Sequence, residues 1–538
     1  MKKPPSAIEP EDPAEIAIGE RLFLETRFAQ FFAANHNDVN RPLIAGDPVM
    51  EFTHTTTRSL PGPFAGQSMN CAACHLVDQQ LDQPDGGMRT YSDLAPRSPF
   101  PDRRDRGDTR TTAIRNAQPL VGSAVPRNAG LLLHFDGEFA SLEDLVGDTL
   151  TGRNFGWLPD ERDQAIAHIA SVIRYDSGHG ELAEEFGGSY TRVLTGTAGD
   201  LPGTLVLPPE FRVDVATATD QELFDAVVQL IAAYVEGLTF AMNANGAFNL
   251  SPYDAFLAAN GLPRQPNSGE SDQAYTTRLR TALDKLTSPV FILDDGETQT
   301  FEFHSQPFNF GEQELRGLRV FLARQPGGPR LSSGVGNCAA CHAAPHFTDF
   351  KVHNTGVNQF EYDALHGDGS FAALAIPSLA ARNADYNAYL PATPNHPLAS
   401  ERFRAVADAD DASLTDLGVW NVYATPDLPG PQTRLKTFLC DVAPGTDCGS
   451  IDDDSLLTRA IASFKTPGLR DLGHSGPYMH NGAFETIEAA VRFYRDASEM
   501  ARGATLRNAD PRLDDIALNA DDIADLTAFL KALNEDYE

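Results

Sequence analysis

Two short segments bring together residue types that can do chemistry: Cys71-Ala72-Ala73-Cys74-His75 and Cys338-Ala339-Ala340-Cys341-His342. In C-x-x-C-H one helical turn separates two thiols, which matches the spread of the two vinyl groups of a haem. The adjacent histidine then lies under the iron as its proximal ligand. Other uses of paired cysteines fit less well. A dithiol redox site needs a βαβ context, and no long alternating pattern runs through the chain. A zinc site formed by pairing the two motifs would leave both histidines unexplained. Two covalently bound haem c groups are therefore expected, one on Cys71, Cys74 and His75 and one on Cys338, Cys341 and His342. The remaining cysteines, Cys440 and Cys448, bracket a turn-rich loop and are expected to form a structural disulfide.

The elements that must position these motifs occur twice. A Gly-x-Arg-x-Phe helix comes first, at Gly19–Phe23 and again at Gly317–Phe321, and the haem motif follows it. Next is an Asx-Gly turn opening a helix, at Asp136-Gly137 and at Asn481-Gly482. Each half closes on an amphipathic helix. Thr219 and Glu222 form a capping box ahead of Leu223, Val227, Leu230, Ile231, Tyr234 and Leu238, and Asn519 caps a helix lined by Ile523, Leu526, Phe529, Leu530 and Leu533. The opening helix of the first half is expected to have Asp12 as N-cap and Pro13 at its first position.

The pattern predicts an all-α protein: two cytochrome c-like haem domains in tandem, with long loop insertions. The expected units are 1–258, an insert at 259–310, and 311–538, with first and last helices of each domain crossing. The insert is expected to open on a polar loop, Arg264 to Asp272, and to hold a short hairpin between Phe291 and Phe303. Further additions at about 176–215 and 384–455 are Pro- and Asp-rich and read as surface loops that shape a substrate entrance.

A formal net charge of −33 disfavours nucleic acid and anionic lipid and favours basic partners. No apolar run approaches the roughly 20 residues that span a bilayer. The first residues, Met1-Lys2-Lys3-Pro4-Pro5, lead into an acidic, proline-rich stretch without the apolar segment of an export signal. Location is therefore inferred from covalent haem attachment, which takes place outside the bacterial cytoplasm, and a periplasmic protein is expected.

The segment Lys465 to Arg470, followed by Pro477-Tyr478-Met479-His480-Asn481-Gly482, resembles the bacterial di-haem cytochrome c peroxidase and MauG superfamily. So do Phe347–Asp349, His353–Gly356 and Ser251–Asp254. The likeness is close over 311–360 and 460–538, looser over 13–25, 68–76 and 111–150, and absent from the long insertions. It implies peroxidase-type activation of hydrogen peroxide at the N-terminal haem, with electron transfer or charge storage at the C-terminal haem. It places the sixth ligand of the C-terminal iron fourteen residues after His480, on Tyr494, a MauG-like feature. A phenolate oxygen is a hard donor that favours oxidised iron. Setting the two Asx-Gly turns together puts Thr149, a poor ligand, where the second half has Tyr494. The His75 haem is then the open one, unless His54 or His134 caps it.

Three features depart from the family pattern or complete it. The family's distal glutamate position falls on Asn154-Phe155, so Asp148, Arg153 and Asn154 are the candidates for the distal pocket. Phe135 stands where the family has a tryptophan between the haems, and of the two tryptophans here Trp157 reads as core. A calcium ion between the domains would be held by Asn116 and by the backbone carbonyls of Ser475 and Pro477. The implied partners are hydrogen peroxide and either a small electron-donor cytochrome or cupredoxin or a protein substrate. Alternatives are a MauG-like oxidase modifying a partner protein, a haem oxygenase, and a plain di-haem electron carrier.

Overall fold

The computed structural model describes residues 12–41, 52–54, 59–61, 70–71, 74–75 and 113–536. Positions 126, 128–129, 197–198, 200, 295–299, 302–303, 326–328, 429–430 and 442–447 within that last range are excepted. Most regular structure in these residues is helical. The strands pair in two short antiparallel ladders, Phe52–His54 with Ser59–Pro61 and Val352–His353 with Phe464–Lys465. None of the described helices is long and apolar enough to cross a membrane.

The repeat read from the sequence is visible as two crossed helix pairs. Ala14–Phe23 packs on Asp220–Gly237, and Glu312–Leu322 packs on Ala520–Lys531. Glycine is needed at each crossing because backbone meets backbone. A Cβ on Gly19 would sit 2.2 Å from the Leu230 carbonyl oxygen, and one on Gly317 would sit 1.9 Å from that of Asp525. The capping boxes at Thr219/Glu222 and Asn519/Asp522 close as their residue types dictate. The opening helix starts one residue later than expected: Pro13 is its N-cap position and supplies no side-chain cap.

The Asx-Gly turns match atom for atom across the repeat. Leu133 pairs with Phe139 in the first and Tyr478 with Phe484 in the second. His134 and Met479 occupy the same left-handed position (φ 59° and 73°), and so do Gly137 and Gly482. Ser141 caps the helix Leu142–Leu150 and Thr486 caps Ile487–Arg502. The halves then exchange hydrogen bonds. Asn116 N donates to the His480 carbonyl at 2.7 Å, and Lys465 N donates to the Phe135 carbonyl at 2.6 Å.

Several loop expectations are corrected. The 176–215 addition buries Phe186, Tyr190, Val193, Leu194, Leu205 and Leu207 in the first core, so it is packed structure and not a surface loop. The 384–455 addition builds most of a third core, around Trp420, Phe403, Leu435, Leu439 and the helices Gln432–Asp441 and Asp453–Ala460. Its leucines recur at helical spacing, a signal that the Pro/Asp-rich average conceals. No hairpin forms within the described part of 291–303; Ile292 instead bridges to Phe310. Arg264 to Ser271 is a loop as read, but Asp272–Asp284 is a helix, and Tyr275, Leu279 and Leu283 bury in the second core. The helix Pro252–Ala259 packs in that same core.

A buried ion pair ties that helix to the second half. Arg470 donates to both Asp254 carboxylate oxygens at 2.9 and 3.0 Å, with the two side chains 2% and 4% exposed. Burial pushes the neighbouring Glu535 carboxyl up to about 8, so this acid is protonated near neutrality and cannot replace Asp254 as counter-ion. Arg470→Leu would strand the Asp254 carboxylate and is expected to lower stability by about 3–5 kcal/mol. A urea titration followed by circular dichroism checks this, and an unshifted midpoint would refute the role.

Candidate functional site: two thiol-imidazole cavities

Each C-x-x-C-H segment folds into one tight turn. Cys74 N and His75 N both donate to the Cys71 carbonyl, at 3.1 and 3.0 Å; Cys341 N and His342 N donate to that of Cys338, at 3.2 and 2.8 Å. All four thiols are half-buried and outside any disulfide, in contrast to Cys440 and Cys448, which are bonded to each other. Burial and the neighbouring thiol push Cys71 and Cys338 up to about 12. His75 Nδ1 lies 2.8 Å from the Gln118 carbonyl and His342 Nδ1 lies 2.9 Å from that of Phe347. Such a bond to Nδ1 fixes the ring, as in histidines that ligate a metal through the other nitrogen. Burial holds His75 down at about 4 and also lowers His342, so both stay neutral and ready to ligate.

The two motifs open on cavities of different character. The second, of about 230 Å³, is lined by Cys338, Cys341, His342 and Tyr494 amid apolar side chains. Burial, then the nearby thiols, raise the Tyr494 phenol well above its ordinary value, so it would ionise only with a cation to stabilise the phenolate. The first, of about 470 Å³, is lined by Cys74, His75 and Thr149 and by the candidates Asp148, Arg153 and Asn154. Burial and the Glu138 charge raise Asp148. Phe135 lines both cavities, and its ring centroid is 6.3 Å from that of His480. A flat prosthetic group with two vinyl carbons and an iron fits both sets.

No family model matches the chain. Among curated proteins it is 25% identical over 215 residues to the cytochrome-c peroxidase IdrP2 of Denitromonas iodatirespirans, covering 40% of this chain and 41% of that one. It is 28% identical over 167 residues to the IdrP2 of Pseudomonas sp. (strain SCT), covering 31% and 30%. The chain is similar to cytochrome-c peroxidases. The match spans less than half the length of these relatives. Among solved structures, the diheme peroxidase BthA from Burkholderia thailandensis E264 aligns with 17% identity and a TM-score of 0.41 over 99% of this chain and 89% of the other. A MauG-like protein associated with microbial copper homeostasis aligns with 15% identity and a TM-score of 0.42, over 99% and 95%.

In this peroxidase-like chain the remaining site residues are distributed as follows. Asn116 Nδ2 contacts the Pro477 carbonyl, while Asn116 Oδ1 is buried without a hydrogen-bond partner, an oxygen that a hard cation would satisfy. Ser475 lies two residues from Pro477 on the wall of the same cavity. His134 lines the His75 cavity, with Nδ1 3.2 Å from Glu138. The His54 side chain lies outside the described residues. Trp157 is core, its indole donating to the Phe28 carbonyl at 3.2 Å.

Among the groups in the His75 cavity that sequence reasoning missed are Glu138, Glu401 and Arg404. Arg404 pairs with both Glu138 oxygens and holds that carboxyl well below the usual range. Glu401 accepts from Arg153 Nη1 at 2.7 Å and from Ala392 N at 2.9 Å. Glu138 was legible in principle, since the second turn has Ala483 in its place. Glu401 and Arg404 belong to the 384–455 addition, and nothing local marks them.

Proposed function

We propose that the chain is a periplasmic di-haem c-type oxidoreductase, with hydrogen peroxide activated in the His75 cavity and charge transferred or stored at the His342/Tyr494 haem. The contrast between the two cavities carries this reading. Where the second has a phenol among apolar walls, the first has Thr149 beside acids and guanidinium groups. A bound haem iron would supply the redox change. The chain's own residues hold and move protons. Asp148, with its raised pKa, is suited to accept a proton from peroxide and return it to the leaving oxygen. Arg153, fixed by Glu401, and Asn154 offer donors for the charge that develops. Phe135, between the cavities, provides contact for electron transfer and is harder to oxidise than the tryptophan it replaces.

In this reading 1–258 and 311–538 carry the two haems, and Asn116, Ser475 and Pro477 hold a calcium ion where the halves meet. The acidic surface suits a basic donor, either a small cytochrome or cupredoxin or a protein substrate. Tyr494→Phe tests the assignment. It is expected to change the electronic spectrum of one ferric haem and raise its reduction potential, because a hard anionic ligand is lost. An unchanged spectrum would refute ligation. Two purely low-spin haems in the wild type, indifferent to cyanide, would refute the open site.

A further inference from the structure

The charge balance beside His75 runs against that of the whole chain. Acidic residues outnumber basic ones by 75 to 42, yet among the described residues neither Arg127 nor Lys465 has a carboxylate within ion-pair distance. Both line the cavity that runs from His75 past Gln118 to Phe135. Arg127 is held by backbone and ring contacts: Nη2 donates to the Ser123 carbonyl at 2.9 Å, Nε to that of Val125 at 3.2 Å, and its plane lies 3.9 Å over Phe350. Its Nη1 is buried with no partner. Among the described residues Lys465 Nζ reaches Gln118 Oε1 alone, at 3.4 Å, the long limit of a hydrogen bond. Ser123 Oγ, on the same wall, is also buried without a partner.

Such a cluster is costly as it stands, because buried charge without a counter-charge loses its hydration. Burial, then the Arg127 charge, push the Lys465 ammonium down to about 7, and burial with the Arg434 charge brings Arg127 to about 10. The same positive field reaches His346, held at about 4 by burial, Arg470 and Arg127. Backbone contacts keep the guanidinium in place; among the described residues the acid on this wall, Asp471, is paired with His304 and His474, and Asp136, which acts on Lys465 from a distance, is paired with Arg115. An anion whose charge comes from elsewhere would complete the set.

We propose that Arg127, Lys465 and Ser123 form a carboxylate-binding site in the cavity beside His75. Charge-assisted hydrogen bonds from a guanidinium, an ammonium and a hydroxyl match the oxygens of one carboxylate. The carboxylate has two sources: the propionate side chains that a haem carries, or a small free carboxylate from solution. The site rests only on the haem-binding part of the function proposed above, not on peroxide chemistry.

The test uses the two-haem protein and its Arg127→Gln and Lys465→Gln variants, with Arg127→Lys as the charge-conserving control. Resonance Raman spectra read the haem propionate-bending bands, and calorimetry reads binding of acetate. If the propionates occupy the site, a bending band shifts in both glutamine variants and is restored in Arg127→Lys, while the wild type takes up no acetate. If a free carboxylate occupies it, the wild type binds acetate, each glutamine variant weakens that binding at least tenfold, and the bands stay in place. Unmoved bands together with no acetate binding by the wild type would overturn the proposal. Neither readout involves peroxide, so its failure and that of the peroxide reading are separable.

Discussion

Replacing Asp148 by asparagine is expected to slow the reaction of the two-haem protein with hydrogen peroxide by about 10²–10⁴-fold, the usual contribution of a positioned proton carrier. Four carboxylates line the cavity with His75, but they are not equivalent, and Asp427 is taken up by Thr393 and His396. Glu138 is clamped by Arg404 and held ionised, and Glu401 is engaged by Arg153 and by the Ala392 amide. Asp148 is the one whose proton affinity is raised, by burial first and by the Glu138 charge second. A base works only when ionised, so the wild-type rate should climb with pH through an ionisation above the ordinary aspartate value of about 4. In Asp148→Asn that limb should vanish. In Glu138→Gln it should move to lower pH, because the charge that opposes ionisation of Asp148 is gone. Stopped-flow traces across pH read all three outcomes. A wild-type limb that survives unchanged in Asp148→Asn would remove this residue from the mechanism.

A large effect on folding is also expected at Gly317. A methyl group there would meet the Asp525 carbonyl oxygen at 1.9 Å and the Phe529 Cβ at 2.7 Å, so the helices Glu312–Leu322 and Ala520–Lys531 must separate. That spoils the contact on which the second core is built, including Phe321 and Leu526. Gly317→Ala is expected to cost about 3 kcal/mol or more, at the upper end for overpacking. Gly203→Ala meets nothing within 4 Å and should stay within about 0.5 kcal/mol of wild type. Urea midpoints of the two variants compare them directly. Equal midpoints would show that the crossing relaxes without penalty.

Local chemistry was legible in the sequence wherever a rule acts over a few residues. The C-x-x-C-H turns, the capping boxes at Thr219 and Asn519, the Asx-Gly turns and the Cys440–Cys448 bridge all depend on neighbours in the chain. So does the crossed pair of helices in each half, because Gly19 and Gly317 recur in the same short motif and only a glycine lets two backbones touch. The long additions were not legible. Their Pro- and Asp-rich average suggested surface loops, while their spaced leucines and aromatics fill the first and third cores.

The residue types along the chain by themselves determined that this is a helical protein of two repeated halves, each with two thiols and an imidazole in one tight turn. Only the tertiary structure decided what surrounds each imidazole. Arg404 and Glu401 come to the His75 cavity from more than 200 residues away in sequence, and Arg127 and Lys465 face one another's field across the boundary between halves. Those effects depend on distance in space, and a charge brought close by folding leaves no periodicity or spacing in the chain from which it could be read.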